Sequence, residues 1–255
     1  MKKPRRTILS AVLISALLAL PGYAQKSPPA GNKEAMAVVD KMIAAMGGRK
    51  ILESIKDMTV SGETELNVAG MTLTAPITIY QKSPDKVRVD ISLPDYNMNI
   101  TQAFDGQKGR YTNPQAGGAT EEMPAHMAKQ LARQAGESEA LLHPEKHGVT
   151  YLLKPKATLE GKDYIVLEQT LAEGHKTAFY IDPQTFLPYR TASRALDMTG
   201  AEVDAETYST NYQKVAGTMV PFAIRVVQNG ADAQRLTITS VTYNTNLEDS
   251  LFILK

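Results

Sequence analysis

A mainly β (α+β) fold, built on a curved antiparallel sheet of about ten or eleven strands, is what this 255-residue sequence predicts. Three observations carry that expectation. From Met58 onward, apolar and polar residues alternate with period two over most of the chain. Turn chemistry interrupts the alternation at Ser83-Pro84-Asp85, Asp105-Gly106, Asp182-Pro183, Ala216-Gly217 and Asn229-Gly230. The few segments with helical spacing are left to cover one face of the sheet. Alternation of this kind gives each strand one covered and one wet face.

The elements follow in order. Lys2, Lys3, Arg5 and Arg6, the apolar run Ile8 to Leu20, and then Pro21, Gly22 and Ala24 form the three parts of a cleavable secretory signal over residues 1–24. The run is shorter than the roughly 20 residues that a membrane helix needs, and no later segment reaches that length. Residues 25–31, with Pro28, Pro29 and Gly31, read as a flexible lead-in, and 32–255 as a single domain. Asn32 offers an N-cap to a helix that places Met36, Val39, Ile43 and Met46 on one side and ends at Gly47-Gly48. A short helix is expected over Lys50 to Lys56.

Strands follow through Leu66 and Val68, then Leu73, Ala75, Ile77 and Ile79, then Val87, Val89, Ile91 and Leu93, with Met98 and Ile100 beyond the Pro94-Asp95 break. Met123, Met127 and Leu131 recur at intervals of four, so a second main helix is expected between Glu121 and Gly136, with Pro124 in its first turn. Leu141 and Leu142 are expected in a connecting loop. Strands resume at Val149 to Leu153, Tyr164 to Leu171, Thr177 to Ile181, Leu187 to Arg194, Glu202 to Lys214, Met219 to Val227 and Arg235 to Asn244.

Composition excludes several functions. The chain has no cysteine, hence no lipid-modified N-terminal cysteine, disulfide or thiolate chemistry. Its formal charge of +1 includes four basic residues of the leader; the remainder has 24 basic and 27 acidic residues, a balance of −3 with no basic footprint for nucleic acid. His143 and His147 are four apart with Glu145 between them, but Pro144 and Gly148 argue against the continuous helix that a zinc pair would need, so no metal and no cofactor is expected. Asp85, Asp95 and Asp105 lie in or beside turns that favour aspartate for backbone bonding, and no serine sits in a nucleophile elbow. A non-enzymatic role is the expectation.

Several motifs, taken in order, resemble the LolA/LolB-like superfamily of periplasmic outer-membrane lipoprotein-sorting proteins. They are Lys82-x-Pro84 with Val87-Arg88-Val89, Asp105-Gly106-Gln107-Lys108 leading to Tyr111-Thr112-Asn113-Pro114, Tyr180 to Pro188, Tyr212 to Gly217 with Val220-Pro221-Phe222, and the ending Leu247 to Phe252. One departure is Ser83, which stands where the carriers commonly have an arginine before the proline, and the chain has no tryptophan.

The resemblance implies an open or half β-barrel with helical lid segments on its concave face, receiving the acyl chain of a lipid or of an acylated lipoprotein in the periplasm. The acyl cavity would then draw on Met36, Val39, Ile43 and Met46 of the first helix, Leu73, Ile77, Val89, Ile91, Met98 and Ile100 of the strands, and Met123, Met127 and Leu131 of the second helix. Methionine suits such a surface because its unbranched, polarizable chain adapts to ligands of varied shape. Lys82, Arg88 and Arg110 are candidate rim residues for a headgroup or an acidic partner, although charges on the outer side of a strand look the same in sequence. The same motifs leave open an envelope protein-interaction or sensor module whose core is filled by its own side chains. Which strand parity faces inward is left undetermined.

Overall fold

The computed structural model describes residues 32–68, 71–113, 117–197 and 199–255. The expected leader, 1–24, the lead-in, 25–31, the Ala69-Gly70 turn and Pro114 lie outside the described residues. Two helices open the described chain, α1 (Asn32–Ala45) and α2 (Arg49–Ser54). Six strands follow: β1 (Asp57–Val68), β2 (Met71–Lys82), β3 (Lys86–Leu93), β4 (Met98–Phe104), β5 (Gly109–Asn113) and β6 (Ala119–Glu122). After α3 (Ala125–Leu142) come β7 (Thr150–Leu159), β8 (Lys162–Thr170), β9 (Lys176–Ile181), β10 (Pro188–Leu196), β11 (Glu202–Val215), β12 (Thr218–Gln228) and β13 (Ala231–Tyr243).

These strands form one antiparallel sheet in the order β6-β5-β4-β3-β2-β1-β13-β12-β11-β10-β9-β8-β7, not closed into a barrel. The chain therefore meanders outward from β1 to one edge, crosses to the far edge through α3, and meanders back until β13 pairs with β1. There are thirteen strands among the described residues, where about ten or eleven were expected, because β6, at the edge, and β5 beside it are short. The Ala119-Thr120-Glu121-Glu122 stretch of β6 has no apolar alternation by which to read it.

Helix α3 also differs from expectation. It continues through Gly136 to Leu142, where a loop was expected to hold Leu141 and Leu142. Glycine inside a helix costs about 1 kcal/mol relative to alanine. Packing on both sides of it prevails: Leu131 and Ala135 lie against the β3 side, and Leu142 is buried against α1. The helix stops before Pro144, which disfavours helical backbone at His143.

The two main helices cover different parts of one sheet face. Ala35, Val39, Met42 and Ile43 of α1 pack with Leu167, Phe179 and Ile181 into a core over β7 to β9. Met123 and Leu131 pack with Val87, and Met127 and Ala128 join them over β3 to β5. Gly109 permits the close approach of α3 to β5, since a Cβ there would lie 2.9 Å from the Ala128 Cβ and 3.0 Å from the Met123 Sδ. Nearer the centre of the sheet, the Met219 amide donates to the Met46 carbonyl at 3.0 Å and ties the chain just beyond α1 to β12.

The convex face carries a different device, a clasp around the C-terminal segment. Asp57 is buried and accepts from the backbone amides of Thr245 at 2.7 Å, Asn246 at 2.9 Å and Leu247 at 3.3 Å. Burial alone would raise the pKa of its carboxyl, but the bonds from Thr245, Leu247 and Asn246 outweigh it and hold the group below the ordinary range. Downstream, Phe252 and Leu254 are buried at 1% and 8% exposure, so the segment is packed and not merely tethered.

Asp249 lies within 2.7 Å of Lys82 and 2.8 Å of Lys86. The bonds from Lys82 and then Lys86 hold its carboxyl at about 2, against an ordinary value of 3.8. A depressed carboxylate contributes stability above its unfolded pKa and loses it as pH falls through its folded pKa. Wild-type thermal stability should therefore drop between about pH 4 and about pH 2, and Asp249→Asn should flatten that drop in a pH series of melting curves. Asp57→Ala, which removes the buried acceptor of three backbone amides in a partly exposed turn, should cost about 1–3 kcal/mol in urea denaturation at neutral pH.

Candidate functional site

Strand register assembles the site. Ile77 of β2 pairs with Ile91 of β3, which pairs in turn with Ile100 of β4. The adjacent row runs Ile79, Val89 and Gln102. Across the centre of the sheet, Ile224 of β12 pairs with Leu236 of β13, and Val226 with Gln234. These residues project to the concave face and, with Leu66, form the wall of a cavity of about 500 Å³. The wall is aliphatic because the face that α1 and α3 cover selects apolar residues at every second position.

Met127, Gln130, Leu131 and Gln134 of α3 roof this cavity. The roof is fastened at both ends. Near its start, the Met123 amide donates to the Gly109 carbonyl at 2.9 Å. At its end, Arg49 of α2 donates to the Leu142 carbonyl, a partner for one of the last helical carbonyls that have no intrahelical donor. Between these ties, the Ser83 hydroxyl of the β2–β3 turn donates to Glu139 at 3.2 Å. Polar groups gather on part of the lining, where Gln228, Gln234 and Asp197 stand with the α3 amides.

Of the sequence-predicted acyl residues, Ile77, Val89, Ile91, Ile100, Met127 and Leu131 come together in this cavity. Leu73 and Met98 share the same sheet face but lie outside the lining, Leu73 opposite Leu66 and Met98 opposite Leu93. Met36, Val39, Ile43 and Met46 belong to the α1 core, where Val39 and Ile43 are almost wholly buried against β7 to β9. Around Val39 and Ile43 that core is filled by its own side chains, while at its margin Met46, Leu52 and Leu142 line a smaller cavity of about 210 Å³. The buried Gln169 amide of the core donates to the Tyr151 hydroxyl at 2.8 Å, and burial, with that bond opposing it, pushes the Tyr151 phenol up to about 12. Met123 is likewise buried, in the cluster with Val87.

Arg88 and Arg110, expected at a rim, lie on the opposite face of the sheet, and Lys82, at the end of β2, turns to the same segment while also lining the smaller cavity beside Met46 and Leu142. Their donors meet the C-terminal segment: Lys82 the Leu247 carbonyl at 2.6 Å, Arg88 the Leu251 carbonyl at 2.9 Å, and Arg110 the Leu254 carbonyl at 2.9 Å. Neighbouring positions in a strand point to opposite faces, so a cation one residue from a cavity residue belongs to the other side. His143 and His147 face separate carboxylates, Glu53 at 3.9 Å and Glu139 at 4.0 Å. Asp105 accepts from the Gln107 and Lys108 amides at 2.8 and 2.7 Å, as expected of a turn residue.

Sequence reading missed the wall contributed by β12 and β13, although Phe222, Ile224 and Val226 carry the same period-two signal as β3. It also missed His126, Lys129, Arg133 and His175, which line a second recess of about 260 Å³ beside the cavity. A positional signal existed for part of that group, since residues 126, 129 and 133 share one side of a helix.

The contrast between the filled and unfilled regions can be measured. Val39→Phe, at a position with 0% exposure, should destabilise by about 1–3 kcal/mol through overpacking, whereas Ile224→Phe should cost less than about 1 kcal/mol because its ring extends into space. Urea denaturation of the two variants decides the point.

No family model matches the chain, and no curated protein matches it. Solved structures do. A domain described as an outer membrane lipoprotein-sorting protein from Vibrio parahaemolyticus superposes with a TM-score of 0.60 at 14% identity, over 87% of this chain and 97% of that one. A LolA-superfamily protein of Nitrosomonas europaea gives a TM-score of 0.60 at 14% identity, over 86% and 97%. A DUF1329-family protein of Desulfovibrio piger gives 0.59 at 15% identity, over 86% and 97%. The chain has the fold of the LolA superfamily.

Proposed function

We propose that this protein is an exported, periplasmic and non-catalytic carrier that holds the acyl moiety of a lipid or lipoprotein in the cavity beneath α3, as in outer-membrane lipoprotein sorting. The observation that carries the reading is an unfilled aliphatic space, walled by Ile77, Ile91, Ile100, Ile224 and Leu236, under a helix fastened at both ends. Its volume of about 500 Å³ falls within the range of ~300–1,000 Å³ usual for ligand sites. Each methylene withdrawn from water into such a wall contributes about 0.8 kcal/mol, so a single acyl chain supplies affinity without any directional bond. The lining adds amides and the single carboxylate of Asp197, a set with no paired acid and base. The likeness in fold to lipoprotein-sorting domains supports the same reading, and the signal pattern of residues 1–24 supports export.

Native mass spectrometry of protein purified from the cell envelope should reveal a co-purifying acyl mass. In solution, fatty acids should displace a neutral fluorescent probe, and Ile91→Trp, which fills the cavity, should weaken that binding about tenfold or more while the urea midpoint stays near wild type. A cavity that is always empty, with no competition by fatty acids, overturns the proposal. The alternative, an envelope interaction or sensor module, is favoured by the core around Val39 and Ile43, which is filled by its own side chains. Met127→Asp separates the two, because a docking module keeps its partner in pull-down when acyl binding is lost.

A further inference from the structure

The recess beside the cavity has a character that acyl binding alone does not require. It is lined by His126, Lys129 and Arg133 of α3, His175 from the β8–β9 connection, and Arg194 and Glu202 from the β10–β11 hairpin. Gln130 and Leu196 line both spaces, so the recess adjoins the apolar cavity. Arg194 is already engaged, with Asp204 at 2.8 Å and Glu202 at 3.0 Å. Among the described residues Lys129 and Arg133 have no ion-pair or hydrogen-bond partner, and the buried Nε2 of His126 has no hydrogen-bond partner.

Lys129 and Arg133 are four residues apart on one helix, where like charges repel. Their field reaches across the recess. Burial, and then the charges of Arg133 and Lys129, hold the His175 imidazole below its ordinary pKa, with Glu173 opposing them. Two unpaired cations, the His175 imidazole and a buried ring nitrogen without a partner thus converge beside an aliphatic cavity. Each of these deficits is relieved by one multivalent oxyanion, which accepts from guanidinium, ammonium and imidazole donors together.

Resting on the acyl reading of the cavity, we propose that this recess receives the phosphate headgroup of an amphiphile whose chain occupies the adjoining space. Lys129 and Arg133 supply charge, and His126 and His175 supply ring nitrogens to the phosphate oxygens. A phosphate fits better than a carboxylate because its oxygens diverge toward donors arriving from α3 and from the β8–β9 connection.

The test compares lysophosphatidic acid with the monoacylglycerol of the same chain, which differ by the phosphate alone, in displacing a neutral fluorescent probe from the full-length mature protein. Wild type should bind the phosphate-bearing amphiphile about tenfold or more tightly, as expected for hydrogen bonds to charged groups. Lys129→Gln with Arg133→Gln should remove that preference and leave monoacylglycerol binding within about twofold. Glutamine is a good helix former, and circular dichroism confirms that α3 remains. Equal wild-type affinity for the two amphiphiles overturns the proposal, as does a preference that survives the double substitution or a parallel loss of both ligands. Inorganic phosphate is the third arm; if it competes as strongly as the lysolipid, the recess is a free-phosphate site and the headgroup proposal falls. When monoacylglycerol binds and the preference is absent, only the headgroup proposal fails. When neither amphiphile binds, the acyl reading fails first and takes this proposal with it.

Discussion

The pairing of β1 with β13 is the constraint on which the rest of the structure depends. It places the first and last strands side by side at the centre of the sheet, so both edges are made from the middle of the chain, β6 on one side and β7 on the other. The segment joining them must cross the whole sheet. At about 1.5 Å per residue, the 18 residues of α3 span about 27 Å, which takes the chain from the β5–β6 edge to the α1 core. A crossing of this kind cannot lie on the convex face, where the C-terminal segment is packed through Phe252 and Leu254. The roof of the cavity is thus a consequence of strand order, and its anchors at Gly109 and Arg49 are the points where the crossing begins and ends.

Period-two geometry then divides the chemistry between the two faces. In β3, Val87, Val89 and Ile91 serve the concave side, while Lys86, Arg88 and Asp90 serve the convex side. The outward cations do structural work by donating to carbonyls of a C-terminal segment that has no strand partner for them. Without those donors the carbonyls of a packed segment would lack partners, which a buried backbone rarely tolerates. Cations that have no such duty are found instead on α3, at Lys129 and Arg133. Position in the register, and not charge itself, separates these two groups of basic residues.

Much of this was legible in the sequence, and the exceptions have physical causes. Alternation in β2, β3 and β4 marked the wall residues Ile77, Ile91 and Ile100, because the covered face of a sheet selects apolar side chains two apart. The α1 residues Val39 and Ile43 carry an equally apolar helical pattern, yet they fill a core. Periodicity reports that a face is covered and is silent on whether side chains or an open space lie opposite. The extension of α3 past Gly136 was hidden for a related reason: the packing of Leu131 and Leu142 offsets a local penalty that a sequence window registers alone. The basic recess escaped because it joins a helix, a strand connection and a hairpin that are far apart in the chain, and only the fold brings His126 and His175 together.

Packing energetics explain why the unfilled space is informative. Voids created by truncating core side chains cost about 24 cal/mol per Å³, so a closed void of about 500 Å³ would cost about 12 kcal/mol, comparable to the whole ~5–15 kcal/mol stability of a typical domain. A sequence under selection for stability alone would close it, and this one has the means: Leu131 and Met127 are long and flexible, and Val226 and Val89 leave room for larger aliphatics. The lining also carries Gln228, Gln234 and Asp197, polar groups to which water in an unfilled space can hydrogen-bond. The cost is thereby moved from an empty core to a wetted aliphatic wall. Wetted aliphatic surface is what an acyl chain stabilises by displacing water, and it does so most effectively where a roof already holds the opposite side in place. The α1 region shows the other outcome for the same sheet: with Met42, Leu167 and Ile181 almost wholly buried against one another, a ligand would have to replace side chains that already fit.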